Sequence, residues 1–165
     1  CVALAGLALV LTAFALAEWL TTAPPPLPRG SVVMVTGGFK GRRHELTQDE
    51  LYEATRGSLK PERLITEYGM TELSSQLWGE PELPYRPPPW LRVVALDPVS
   101  GEPLRPGTAG QLRFVDLCNV DSALCIDTLD QGVVSNAGDV MLSGRLPGSD
   151  ARGCSLTVED AWERP

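Results

Sequence analysis

Apolar and polar positions along this chain follow two periods, and the switches between them mark out its elements. Residues 1–20, CVALAGLALVLTAFALAEWL, are almost continuously apolar, with Glu18 the first charge. A run of about 17 residues is at the short limit for crossing a bilayer. It carries no basic flank and no initiating Met, so the pattern favours a buried strand and helix over a membrane or export segment. The proline-rich TTAPPPLPRG ends that element, because proline cannot continue a helix. SVVMVTGG then predicts a buried strand stopped by Gly37 and Gly38.

LTQDELYEATRG predicts a helix with Thr47 as N-cap, Glu50 closing a capping box, Leu46 stapled onto Leu51 and Gly57 as the stop. ERLITEYG predicts a further strand running into a turn. Residues 31–69 therefore spell a βαβ unit. Ligands in such units meet the carboxyl ends of the strands, where Gly37–Gly38 and Tyr68–Gly69 fall. After the prolines of YRPPPW, two extended apolar segments in LRVVALDPVSGEPLRPGTAGQLRFVDL are separated by Asp-Pro, Ser-Gly and Pro-Gly turn signals. ALCIDTLDQGVVSNAGDVMLSGR continues with short strands between Asp and Gly turns. The expected organisation is an α/β part over 1–78, a β-rich subdomain over 79–145, and a short C-terminal segment over 146–165.

Composition narrows the function. The 165 residues carry 21 acidic and 14 basic side chains, net charge −7, with no Lys/Arg run, which argues against a nucleic acid or an anionic membrane as partner. Cys1, Cys118, Cys125 and Cys154 are irregularly spaced and far from the single histidine, His44, so a zinc site is not expected. Reduced thiols and a cytoplasmic setting are expected instead. Cys118 and Cys125 sit in strand-like runs and are expected in the core.

The stretch that carries chemistry is ITEYGMTELSSQLW, residues 65–78. In isolation Thr71 and Glu72 could simply cap a helix over MTELSSQLW. They do not stand alone. A Gly-Gly after a strand is followed by Tyr-Gly-x-Thr-Glu, then by SGEPLRPGTAGQL, then by Asp-x-Gly and Gly-Arg. That order resembles the adenylate-forming superfamily over nearly the whole chain. VTGGFKGR, EYGMTELSSQ, PPWLRVVALDP, GQLRFVDL and ARGCSL are similar to its acyl-protein synthetase branch, the long-chain-fatty-acid luciferin-component ligases.

The resemblance implies the C-terminal part of an adenylate-forming large domain, using ATP and Mg²⁺ to activate a fatty acid as an acyl-adenylate and pass the acyl group to a cysteine. Gly37 and Gly38 would let the backbone approach adenine, having no Cβ, and Tyr68, next to Gly69, would stack on the ring. Thr71 would meet the α-phosphate and Glu72 would supply a hard oxygen to Mg²⁺. Asp130 would accept from the ribose hydroxyls and Arg145 would lie nearby. Read from the residues alone, Asp130 is also a turn residue before Gly132, and Arg145 a surface charge.

Cys154 is the expected acyl acceptor. Arg152 beside it would favour thiolate, although a free cysteine is also commonly an inert buried thiol. Lys40 and Arg42 read as a solvated loop. An acyl-accepting reductase or carrier protein is the implied partner. A Ser/Thr/Gly-rich phosphate loop is not among these residues. The chain, which opens on Cys1, is therefore expected to be a portion of a longer synthetase and inactive by itself. Another acyl- or aryl-CoA ligase, or a non-catalytic binding module, are the alternatives.

Overall fold

The computed structural model describes residues 6–37 and 47–146, which fall into two compact units that divide between Leu64 and Ile65. In the first unit, β1 (Ala8–Thr12) leads directly into α1 (Ala13–Leu20), with Thr12 accepting the Ala15 N–H as N-cap. Within the apolar run, residues 8–20 are a strand and a helix; the expected burial holds for α1, through Ala13, Leu16 and Ala17, but is corrected for β1, none of whose residues is buried. β2 (Val32–Thr36) pairs parallel to β1, Ala8 opposite Val32 through Thr12 opposite Thr36. Buried Ser31 stitches the entrance to these strands: its hydroxyl donates to Pro28 and accepts the Leu7 N–H, while its carbonyl accepts from Glu62.

α2 (Gln48–Leu59) opens on the expected capping box, with Glu50 N–H bonded to Thr47 Oγ1 and Thr47 N–H bonded to the Glu50 carboxylate. The helix does not stop at Gly57. It runs on because Leu59, fully buried, gains an apolar environment one half-turn later, and Lys60 takes the left-handed position at φ 48° before Pro61. The staple from Leu46 lies outside the described residues. Ala13, Leu16 and Ala17 of α1, Val33 and Val35 of β2, and Leu51, Tyr52 and Leu59 of α2 form one core with Leu64.

β3 (Arg63–Tyr68) carries the chain into the second unit, where it pairs antiparallel with β4 (Leu77–Gly79). MTELSSQLW is not a helix: residues 71–72 turn, and the segment goes on extended into β4. β5 (Leu91–Leu96), β6 (Ala109–Asp116), β7 (Cys125–Val134) and β8 (Val140–Arg145) make an antiparallel sheet in that order. Strict alternation over LRFVD buries Leu112, Phe114 and Asp116 on one face. Leu112 and Phe114 join Leu73, Leu77, Leu91, Val93, Val134 and Val140 in a second core. The architecture is mixed α/β, a strand–helix–strand passage followed by an antiparallel β-rich part.

Candidate functional site

Three of the residues singled out from sequence meet in the second unit. β7 and β8 place Asp130 opposite Arg145 in register, and Arg145 Nε lies 2.9 Å from Asp130 Oδ1. From the end of β3, the Tyr68 hydroxyl donates to Asp130 Oδ2 at 2.5 Å. Asp130 is therefore not a turn residue but a mid-strand carboxylate, and Arg145 is not a lone surface charge. Gly132 shapes this arrangement: a Cβ there would stand 2.6 Å from the Met141 carbonyl oxygen, where the β7–β8 register shifts. Gly144 takes φ 125° immediately before Arg145, a conformation an L side chain resists. Thr128, buried beside them, bonds the Leu112 carbonyl and receives the Asp130 N–H.

The Tyr68 ring stacks on Phe114, centroids 5.6 Å apart and planes at 21°, and lies tilted to Tyr85 at 6.4 Å. Burial, and after it the bond to the Asp130 carboxylate, push the Tyr68 hydroxyl well above the ordinary phenol range. It stays a donor. A carboxylate offers about four lone-pair directions. Arg145 Nε meets one Asp130 oxygen and the Tyr68 hydroxyl meets the other.

Beyond Tyr68 the chain passes through exposed Gly69 into the turn bearing Thr71 and Glu72, both exposed. Within the turn, Leu73 N–H bonds the Met70 carbonyl at 3.1 Å. Further anchors come from residues the sequence reading missed, Asp116 and Asn119. Asn119 Nδ2 donates to the Glu72 carbonyl at 2.8 Å while its Oδ1 accepts the Ser74 N–H at 2.8 Å. Asp116 accepts the Ser75 N–H and hydroxyl, both at 2.8 Å, and Trp90 Nε1 donates to the same Ser75 hydroxyl at 3.0 Å. Burial presses the Asp116 carboxyl toward its neutral form. The bonds from Cys118, Ser75 and Ser74 outweigh it and hold the group below the usual carboxylate range. The signal was legible in principle, because a charge at an inward position of a period-two strand needs built-in partners.

Gly37 closes β2 in the first unit at φ 65° with open space around its missing Cβ. Gly38 and Cys154 lie outside the described residues, as do Lys40, Arg42 and Arg152. The expectation that Cys118 and Cys125 are core is corrected: both are exposed thiols. Cys118 lies past the end of β6, and Cys125 faces Val115, on the side of the sheet opposite Phe114. Among the described residues no group of three or more His, Cys, Asp or Glu side chains gathers as a metal cluster. None of the described helices is long and apolar enough to cross a membrane.

No family model matches the chain. The luciferase-like enzyme from the nonluminescent mealworm Zophobas morio aligns with TM-score 0.59 at 16% identity, over 86% of this chain and 38% of that one. O-succinylbenzoate coenzyme A synthetase from Bacillus subtilis, in complex with ATP and magnesium ion, aligns with TM-score 0.57 at 17% identity, over 84% of this chain and 31% of that one. The chain thus shares its fold with part of each of these two enzymes. In sequence, the chain is similar to the long-chain-fatty-acid–luciferin-component ligase of Vibrio harveyi, 26% identical over 144 residues. The match takes in 81% of this chain but 38% of that ligase, so the chain spans well under half the length of this curated relative.

Proposed function

We propose that this chain is the nucleotide-binding, C-terminal portion of an ATP-dependent acyl-protein synthetase. The observation that carries the reading is the Asp130 carboxylate, gripped by Tyr68 and Arg145 at the foot of the Tyr-Gly-Met-Thr-Glu turn. In this reading Asp130 accepts from the two ribose hydroxyls, and Arg145, 2.9 Å from Oδ1, fixes where the carboxylate points. Tyr68 offers the part of its ring not covered by Phe114 to the adenine. Thr71 donates its hydroxyl to the α-phosphate.

The donor set fits Mg²⁺ held together with substrate phosphates. Glu72 presents one hard carboxylate on an exposed turn, and Mg²⁺ is commonly bound by one or two carboxylates plus phosphate oxygens and water. When bound, the ion offsets phosphate charge. The fatty acid carboxylate attacks the α-phosphorus, the α–β phosphoanhydride bond breaks and pyrophosphate leaves. The Cys154 thiolate then attacks the acyl carbon, forming a thioester as AMP departs. A reductase or carrier protein would receive the acyl group, in a cytoplasmic setting.

Acid-dependent exchange of labelled pyrophosphate into ATP by the full-length gene product tests the first step. Cys154→Ala is expected to keep exchange and lose the covalent acyl thioester. A thioester undiminished in Cys154→Ala removes that residue from the mechanism. The solved coenzyme A synthetases of the same fold make a free-thiol acceptor the second reading. Acylation that stays on protein without coenzyme A separates the two.

A further inference from the structure

Asp116 and Asn119 have no counterpart in the motifs that carry the proposed chemistry, yet the structure commits both to one task. They are fully or almost fully buried, at 0% and 3% exposure. Asp116 is the last residue of β6, and Asn119 follows it in the loop toward β7. Neither spends its bonds on its own sheet alone. Asn119 straddles the backbone just past the Thr-Glu pair, donating to the Glu72 carbonyl and accepting from Ser74. Its amide also bonds the Ala123 carbonyl at 3.0 Å, so the loop that holds the turn is itself held. Asp116 fixes the next residue, Ser75, through backbone and hydroxyl, with Cys118 N–H as a further donor. Leu73, between these anchors, sinks into the core.

We propose that Asp116 and Asn119 are positioning residues, which set the backbone of the Thr71–Glu72 turn so that its hydroxyl and carboxylate face the nucleotide's phosphate and metal. The inference rests on the functional reading above. An exposed turn of polar side chains has little packing of its own to define its shape. Buried, fully satisfied hydrogen bonds supply that definition, because moving the turn would strand a buried carboxylate and a buried amide. Groups that orient a metal-bearing residue in this way commonly alter affinity or activity by about 10- to 100-fold when removed.

Asn119→Asp tests this in the full-length enzyme. It is isosteric and keeps an acceptor for Ser74, but it removes the amide that donates to the Glu72 and Ala123 carbonyls. With a melting temperature close to that of the parent, the expected result is a rise of about tenfold or more in KM for Mg·ATP in pyrophosphate exchange. KM for the fatty acid should stay unchanged. Should Asn119→Asp not fold, Ser75→Ala severs the Asp116 hydroxyl contact while leaving Asn119 intact, and Ser75→Thr, which restores a hydroxyl, should recover the parent KM. Parental KM for Mg·ATP in a folded Asn119→Asp or Ser75→Ala enzyme overturns the positioning role. Absence of any exchange in the parent enzyme instead overturns the functional reading on which it rests.

Discussion

Tyr68 is an aromatic residue with two jobs on one side chain. Its ring completes a stack with Phe114, and its hydroxyl ends on Asp130. Removing the hydroxyl in Tyr68→Phe leaves the ring packing intact but takes a donor from a carboxylate. A loss of about 1.5 to 3 kcal/mol is expected if the bond acts as one to a charged group, measured by urea denaturation. Burial of the phenol, and after it the same bond, give the protein an alkaline limb. Because the folded state raises the phenol's affinity for its proton above that of the unfolded chain, the stabilisation is complete below about pH 10 and is lost as pH rises beyond it. Tyr68→Phe should flatten that decline. Asp116 has the opposite sign. Its carboxyl is held below the usual range, so its contribution is complete above about pH 4 and is lost as pH falls further. Asp116→Asn should lower stability near neutrality and blunt the acid-side slope.

At the scale of elements, α2 separates what local sequence controls from what it does not. Its start is written in four residues: Thr47 and Glu50 satisfy each other's backbone N–H groups. Thr47→Ala should cost about 1 kcal/mol in thermal or chemical unfolding. Its end is tertiary. Gly57 looked like a stop, but it sits inside the helix with open space where a Cβ would go. Gly57→Ala should therefore stabilise the protein by roughly 0.5–1 kcal/mol. A destabilised Gly57→Ala protein would contradict the helix running past that position. The strands β2, β3, β5 and β6 were legible for a similar local reason, since β-branched and apolar runs bounded by Gly, Pro and Asp leave few alternatives. MTELSSQLW misled because capping chemistry favours a helix there. The bonds that hold it extended come from residues more than forty positions away. Periodicity carries no information at that range.

For the molecule as a whole, the order of motifs singled out Tyr68, Asp130 and Arg145, whose side chains meet, and the register of β7 against β8 explains why an Asp-x-Gly and a Gly-Arg can do so. The supporting pair, Asp116 and Asn119, had only one sequence clue, a carboxylate on the inward face of an alternating strand. The exposed thiols Cys118 and Cys125 show the converse. A residue in a strand-like run is core only if it falls on the inward parity and inside the strand. The central claim is that Asp130 reads a ribose, and a pair of ligands tests it without altering the protein. Isothermal titration of the full-length gene product with AMP and with 2′,3′-dideoxy-AMP should show AMP binding more tightly by at least about tenfold. Two hydroxyl bonds to a carboxylate are worth more than the ~1.4 kcal/mol that tenfold represents. Equal affinity for the two nucleotides, or no binding of either, would contradict the account.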